Sequence, residues 1–328
     1  MNLSAIKTLV VCGCLSAALL AANRGEAQNL TLEGQTGGFI TPTAYVVYSA
    51  KGHVFSHPAL GYHFVNASNV IGYIHTFSIA EGFANRAEVG YTRSVHMTGN
   101  SPAFSGLWHY AGMNIFNGKV VAIKDGQFGA WTPGVGAGFV VRTGDKFVSG
   151  ALNEAETGVL KTYTNGDVYV AATKTWLHPP VPFLVNFGLK FTNASIYGIG
   201  GQATRFGGRL FGGLGIPILG PFHTAIVPAA GFTQEPPQVK NLSAILVNPN
   251  TYAPGAPAHI PTTMDYAVRV TQKDNPHFAF DVGIGHVAGT IGTTAVATGL
   301  PAPYPPVVLV PVDLKANSVF GMGLSLRY

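Results

Sequence analysis

Apolar and polar residues alternate over strand-length segments, and this feature limits the possible folds most. In "PFLVNFGLKFT" (residues 182–192) large apolar residues take every second position from Phe183 to Phe191, with Asn186 and Lys190 among the residues between them. Successive side chains of a strand point to opposite faces, so the segment has one apolar and one polar face. The pattern recurs in "RAEVGYTRS", "MDYAVRVTQ", "HFAFDVGIG" and the final "NSVFGMGLSLRY". It predicts an all-β chain.

Composition indicates that the apolar faces meet lipid. Charged residues make up only 10% of the chain and 42 of its 328 residues are glycine, whereas soluble domains carry about 25% charge. Beyond the N-terminus no apolar run approaches the ~18 residues of a membrane helix. The polar faces carry charges of both signs and the apolar faces are rich in Phe and Tyr, as in membrane barrels. A secreted sandwich or lectin is the alternative, because alternation alone does not distinguish the two.

The N-terminus predicts export. Lys7 precedes the apolar run "TLVVCGCLSAALLAA", and Gly25 and Ala27 offer small residues for cleavage before Gln28. Residues 1–27 are therefore predicted to be a signal peptide. Both cysteines, Cys12 and Cys14, lie inside it, so the exported chain has no thiol or disulfide chemistry; a lipoprotein attached through Cys14 is the alternative. The formal charge of +5 is spread too thinly to indicate nucleic acid as a partner.

The length predicts an antiparallel transmembrane β-barrel of about 12 strands over residues 52–328, with 10 or 14 as neighbouring possibilities, at roughly 25 residues per hairpin. Two proline-rich stretches, residues 233–262 and 295–315, are expected to be extracellular loops, because proline cannot donate to a sheet ladder. The candidate strands lie near residues 52–64, 69–79, 86–97, 106–116, 128–142, 167–177, 182–192, 203–215, 221–232, 263–273, 277–288 and 316–328.

The final segment is apolar at alternate positions to its last residue. These positions are Phe320, Met322, Leu324, Leu326 and Tyr328. The pattern resembles the C-terminal signal of bacterial outer-membrane barrels. That resemblance implies an outer-membrane location, contact with outer-membrane lipid and recognition by the barrel-insertion machinery.

A glycine-rich box opens the exported chain. In "LEGQTGGFITPTA" (residues 32–44), Gly37, Gly38, Thr41 and Pro42 form a pattern that a regular strand does not require. Residues 28–51 could begin a strand that bends at the glycines and stops at the proline, or could enter the barrel lumen and line or plug it. The stretch "GQTGGFITPTAYVVYSAKGH" resembles the opening of YjbH-type outer-membrane proteins and related uncharacterised families. YjbH-type proteins are associated with exopolysaccharide production.

Polar residues opposite the apolar faces are the candidates for the lumen wall, and they favour a passive function. Charges of both signs would suit a channel or transport protein for small solutes without strong ion selectivity. The alternative is a non-conducting barrel that serves envelope structure or exopolysaccharide assembly; a pore for apolar molecules is also possible. The lumen-lining candidates are Arg86, Glu88, Asn186, Lys190, Asp265, Arg269, His277 and Asp281.

Catalysis, metal and cofactors are not predicted. His53 and His57 lie four residues apart, about 13 Å along a strand, too far to share one ion. Ser94 and His96 share a strand face, but no motif supplies the third group of a catalytic triad. A lipid-modifying barrel enzyme therefore ranks third among the hypotheses, and the glycine runs lack the strand–turn–helix context of a nucleotide site.

Overall fold

The fold consists of β-strands. The computed structural model describes residues 29–67, 72–97, 112–144, 164–176, 182–198, 201–222, 224–236, 246–254, 256, 260, 262–272, 277–287, 290–299, 305, 307–313 and 318–327. The predicted signal peptide lies outside the described residues. The strands are β1 (Ala59–Ala67), β2 (Gly72–Phe83), β3 (Ala87–Met97), β4 (Gly112–Ile123), β5 (Gly134–Gly144), β6 (Thr164–Trp176), β7 (Phe183–Ser195), β8 (Gly201–Gly215), β9 (Ile218–Leu219), β10 (Thr224–Gln234), β11 (Thr262–Gln272), β12 (Phe278–Val287), β13 (Thr290–Ala297), β14 (Val307–Asp313) and β15 (Val319–Arg327).

Twelve antiparallel strands close into a ring. Strands β1 to β8 pair in sequence order, β8 pairs with β10, and β10, β11, β12 and β15 follow. The ring closes where β15 pairs with β1, from Ala59 opposite Arg327 to Asn66 opposite Phe320. The short β9 pairs with β10 beside the end of β8. The predicted barrel of about 12 strands is confirmed.

The barrel is apolar outside and polar inside. On β7, Phe187 and Phe191 are 50% and 55% exposed, while Asn186 and Lys190 on the opposite face are buried. A soluble sandwich would bury the aromatic residues, whereas a barrel in lipid exposes them. Closure also leaves no strand edge to be solvated within the bilayer. The chain is an outer-membrane β-barrel.

The two ends of the barrel differ in the length of their connections. At the end that holds Arg327, successive strands follow one another after few residues, as in the connections at residues 84–86 and 124–133. At the other end, longer stretches of sequence separate Met97 from Gly112, Gly144 from Thr164, Gln234 from Thr262 and Val287 from Val319. Outer-membrane barrels place short turns in the periplasm and long loops outside the cell. At the short-connection end Phe128, Trp131 and Phe222 are strongly exposed, as in the aromatic belt at a lipid interface.

Several predicted boundaries were wrong. The strand predicted from residue 52 begins at Ala59, so the exposed His53 and His57 precede it. The strand predicted at residues 106–116 continues to Ile123 as β4, while its predicted start at residues 106–111 lies outside the described residues. The stretch 295–315 was predicted to be a loop, yet it contains β14, which pairs with β13 in a hairpin outside the ring. Pro311 fits there because each strand of a two-stranded sheet has a free edge.

No helix within the described ranges has the length and hydropathy of a membrane-spanning segment.

Candidate functional site in the barrel interior

The N-terminal segment, defined as residues 29–49, contacts the inner faces of strands around the ring. Leu30 lies against Gly61 of β1, and its backbone N–H donates to Ser325 Oγ of β15 at 3.3 Å. Ala44 N–H donates to Thr173 Oγ1 of β6 at 2.8 Å, on a different part of the ring. The segment is almost entirely buried, so it occupies space inside the wall.

Glu88 on β3 connects two separate parts of the segment. Its carboxylate accepts the Thr36 N–H at 2.9 Å and the Val47 N–H at 2.8 Å. Lys119 on β4 neutralises this carboxylate at 3.5 Å and donates to the Thr36 carbonyl at 2.9 Å. Both charged side chains are fully buried, and a buried charge is tolerated only when it is paired and hydrogen-bonded. The segment supplies part of that pairing.

Glu33 forms an ion pair with the wall nearer the long-connection end. Its carboxylate accepts two hydrogen bonds from Arg142 of β5, from Nε at 2.5 Å and Nη2 at 2.8 Å. Arg142 also donates to Asp167 of β6 at 2.6 Å and to Asn165 at 3.2 Å. The Glu33 carbonyl accepts a further bond from Asn117 at 2.9 Å. Two-pronged guanidinium–carboxylate pairs are the strongest and most directional ion pairs in proteins.

The glycine-rich box is bound by a third group on the wall. Arg269 of β11 pairs with Asp281 of β12 at 2.8 Å and donates to the Gly37 carbonyl at 3.1 Å. Asn186 of β7 donates to the Pro42 carbonyl at 2.9 Å. Asp281 also accepts from the Asn29 amide.

Glycines of the wall lie where the segment approaches most closely. A Cβ on Gly82 of β2 would overlap the Val47 carbonyl, and one on Gly321 of β15 would meet the Phe39 ring at 2.6 Å. A Cβ on Gly136 of β5 would lie 3.3 Å from Ala44 Cα. Glycine in a strand often marks such a close approach of backbone. The inward glycines therefore make room for the segment.

The predicted lumen residues fall into two groups. Glu88, Asn186, Lys190, Asp265 and Asp281 are buried on the inner face, and Arg269 is nearly so. Arg86 lies in the connection before β3 and His277 directly precedes β12, so these two lie at strand ends, where Arg86 donates to the Ala122 carbonyl.

The residues of the N-terminal box and of the final strand also have defined positions. Gly37 and Thr41 are buried, while Gly38 and Pro42 are partly exposed. Phe320 and Leu326 are exposed outward and Met322 and Leu324 partly so, whereas Tyr328 lies outside the described residues.

Sequence reasoning missed four charged residues at the centre of this interior. These are Glu33, Lys119, Arg142 and Asp167. The alternation in "GVGAGFVVRTG" could have identified Arg142 as an inward residue, because it lies on the same strand face as Gly134, Gly136 and Gly138. Glu33 carried no such signal because its segment forms no regular strand.

Ser94 Oγ and His96 Nε2 lie 2.9 Å apart on β3. Both side chains are fully buried, and a catalytic nucleophile must be reached by its substrate, so the pair gives no support to catalysis. That the protein is not an enzyme stays a prediction. Within the described ranges, no three His, Cys, Asp or Glu side chains are grouped to bind a metal ion.

Comparison with solved structures finds other barrels at low similarity. The KdgM porin is 11% identical, with 82% of this chain and 99% of that chain covered and a TM-score of 0.44. The NanC porin is 10% identical, covering 83% and 100%, with a TM-score of 0.43. The Ralstonia pickettii toluene transporter TbuX is 11% identical, covering 93% and 96%, with a TM-score of 0.39.

Comparison with protein families is more informative. No curated protein matches the chain. The resemblance of the N-terminal box to YjbH-type proteins receives no support from any comparison. The family described as "Protein of unknown function (DUF3034)" matches residues 27–209, which is more than half of the sequence. The chain therefore belongs to the DUF3034 family.

Proposed function

We propose that the protein is an outer-membrane channel for small polar solutes and that the N-terminal segment is its plug. The observation that carries the proposal is the inner wall, where Glu88, Lys119, Arg142, Asp167 and Asp281 are buried behind an apolar exterior. Water and polar solutes require a polar lumen, and side chains of both signs suit solutes without a strong charge preference.

The contacts of the N-terminal segment support a closed state. Glu33, Thr36 and Gly37 are bound by different strands of the wall, so the segment crosses the lumen. Many of these bonds join a wall side chain to a backbone group of the segment. If the segment moved out, the wall ion pairs Lys119–Glu88, Arg142–Asp167 and Arg269–Asp281 would keep their partners. The barrel can therefore lose its plug without leaving these wall charges unpaired.

A reversible disulfide between the plug and the wall tests the proposal. A Cβ on Gly61 would lie 3.4 Å from Leu30 Cβ, close to the ~3.5–4.5 Å of a disulfide. The cysteines of the natural chain, Cys12 and Cys14, both precede residue 28, so a chain expressed from residue 28 with Leu30→Cys and Gly61→Cys contains only this pair.

We expect the oxidised double variant to be silent in a planar bilayer and to show discrete conductance steps after reduction. Each single-cysteine variant should be insensitive to reductant and serves as the control. Deletion of residues 29–44 should give a constantly open pore. Equal conductance of the oxidised and reduced protein would overturn the plug, and silence of the deletion variant, once folded and inserted, would overturn the channel.

A non-conducting barrel is the second candidate, and the burial of the interior favours it. Arg142 and Glu88 are each 1% exposed, so the interior resembles a packed core as much as a pore. An envelope-assembly role linked to exopolysaccharide rests only on the resemblance of the box to YjbH-type proteins, and recognition by the insertion machinery rests only on the final strand. Silence of the deletion variant would favour this candidate.

A further inference from the structure

One sector of the interior contains several buried polar atoms without a hydrogen-bond partner. Ser195 Oγ, Tyr197 OH, Arg209 Nε and Asp265 Oδ1 are all of this kind. They belong to β7 and the turn after it, to β8 and to β11, which are close together in the ring. With Lys190 and Glu235 they are called the polar cluster.

Local contacts hold these groups together. Tyr197 has a positive φ of 56°, and its ring centroid lies 5.6 Å from Lys190 Nζ. Glu235 accepts the Ile196 N–H at 2.7 Å and the Thr263 hydroxyl at 2.9 Å, which joins the turn after β7 to β11. A left-handed conformation is unfavourable for tyrosine. The turn thus directs the tyrosine ring towards the cationic side chain of the wall.

The polar cluster also lies beside a part of the wall where two neighbouring strands, β8 and β10, are paired over only part of their length. Strand β8 pairs with β10 only from Phe211 to Gly215, although β8 begins at Gly201. Between Gly201 and Leu210, the described residues that pair do so with β7 alone, and the Leu210 N–H donates to the Gln234 side chain. Lys190 lies opposite Arg209 on this part of β8.

Unpartnered buried polar atoms require an explanation. Such groups are few in native proteins, because each loses its hydration without a replacement, and an unobserved water, ion or ligand is a common cause. Burial and the nearby carboxylates of Glu235 and Asp265 raise the pKa of Tyr197 well above its usual value, so its hydroxyl keeps its proton. Thr233 lies near this hydroxyl but does not form a hydrogen bond with it.

We infer that the polar cluster binds a small neutral polyhydroxylated solute, a sugar, on its way through the channel. Its two cations and two carboxylates balance, so a solute with net charge gains nothing. Sugar hydroxyls both donate and accept: they can donate to Asp265 Oδ1 and accept from Arg209 Nε and the Tyr197 hydroxyl. The Tyr197 ring adds an apolar face. The inference rests on the proposed function, because it names the solute class of that channel.

Calorimetric titration of the folded, detergent-solubilised chain tests this inference without depending on conductance. The probes are glucose and maltose, with glycine betaine as a small zwitterion. We expect saturable sugar binding that is weakened about fivefold to tenfold by Tyr197→Phe, the loss of one hydrogen bond, and also by Asp265→Asn. Tyr169→Phe is the matched control, because the Tyr169 hydroxyl is equally buried and unpartnered but lies over Gly138 of β5.

Each result decides one question. Sugar binding that Tyr197→Phe weakens and Tyr169→Phe leaves unchanged supports the inference. Absence of sugar binding to folded protein, equal effects of the two variants, or binding of betaine instead would overturn it and would indicate that water fills the cluster. The proposed channel is tested separately by conductance. Conductance steps without sugar binding would support the channel and contradict the sugar site. Sugar binding without conductance steps would support the sugar site and contradict the channel.

Discussion

The substitution Glu33→Gln should release the N-terminal segment from the lumen. Glu33 accepts two hydrogen bonds from Arg142, at 2.5 and 2.8 Å. Glutamine keeps one acceptor but turns an amide N–H₂ towards the guanidinium. Arg142 retains Asp167 at 2.6 Å and Asn165 at 3.2 Å, so it does not become an unpaired charge, and the penalty is below that of breaking an isolated buried pair.

The magnitude follows from the lost hydrogen bond. A hydrogen bond to a charged group contributes about 1.5–3 kcal/mol. At about 1.4 kcal/mol per factor of ten, the upper value would increase the released fraction of the segment roughly 100-fold. The N-terminal segment carries no other carboxylate, so Glu33 is its single anionic contact with the wall.

The released fraction can be measured by the labelling of a cysteine at position 30. Leu30 is fully buried, so a water-soluble maleimide should modify Leu30→Cys only after release, and the labelling rate reports the released fraction even in a barrel that conducts no ions. We expect Glu33→Gln to accelerate labelling by roughly one to two factors of ten. Glu81→Gln, the same change on the outward face near the end of β2, is the control. A rate within about twofold of the control would refute the assignment of this ion pair as the latch.

Two further substitutions test the wall from its two sides. Gly82→Ala places a Cβ against the Val47 carbonyl and should lower the melting temperature and accelerate the same labelling. Gly208→Ala, whose Cβ would make ordinary contacts with Phe191 at 3.7 Å and Leu189 at 3.8 Å, should do neither. Equal behaviour of the two variants would contradict the close approach of the segment to Gly82. Val170→Arg, at an exposed outward position midway along β6, should cost about 2–4 kcal/mol of unfolding free energy in lipid vesicles, whereas Thr164→Arg at the first residue of that strand should cost at most about 1 kcal/mol. Equal costs in a denaturant titration would show that β6 does not cross the bilayer centre.

The period-two pattern accounts for the success of the strand prediction. About twelve strands were expected and the ring contains twelve. The prediction succeeded because the strands are apolar on their lipid face, which makes the alternation easy to recognise. The alternation also fixes the faces, since a shift of one residue would place Phe187 inside and Lys190 outside. The predicted ends of the strands were less accurate than their number, for example in β1 and β4, because composition changes gradually where a strand leaves the membrane. The β13–β14 hairpin was not predicted, because the prolines of this stretch were taken to exclude a strand. Proline excludes a strand only where both edges are paired, and Pro311 lies on a strand that pairs on one side.

Sequence by itself determined which face of a regular strand points inward, as Glu88, Asn186 and Lys190 show, since alternation requires only neighbours along the chain. It could not determine which inward groups meet, because Glu33 and Arg142 are 109 residues apart and Asn29 and Asp281 are 252 apart. Those contacts depend on the order and register of strands around the closed ring, and on a segment with no repeating pattern of its own. Only the tertiary structure therefore decided that the wall charges pair with the N-terminal segment and with each other.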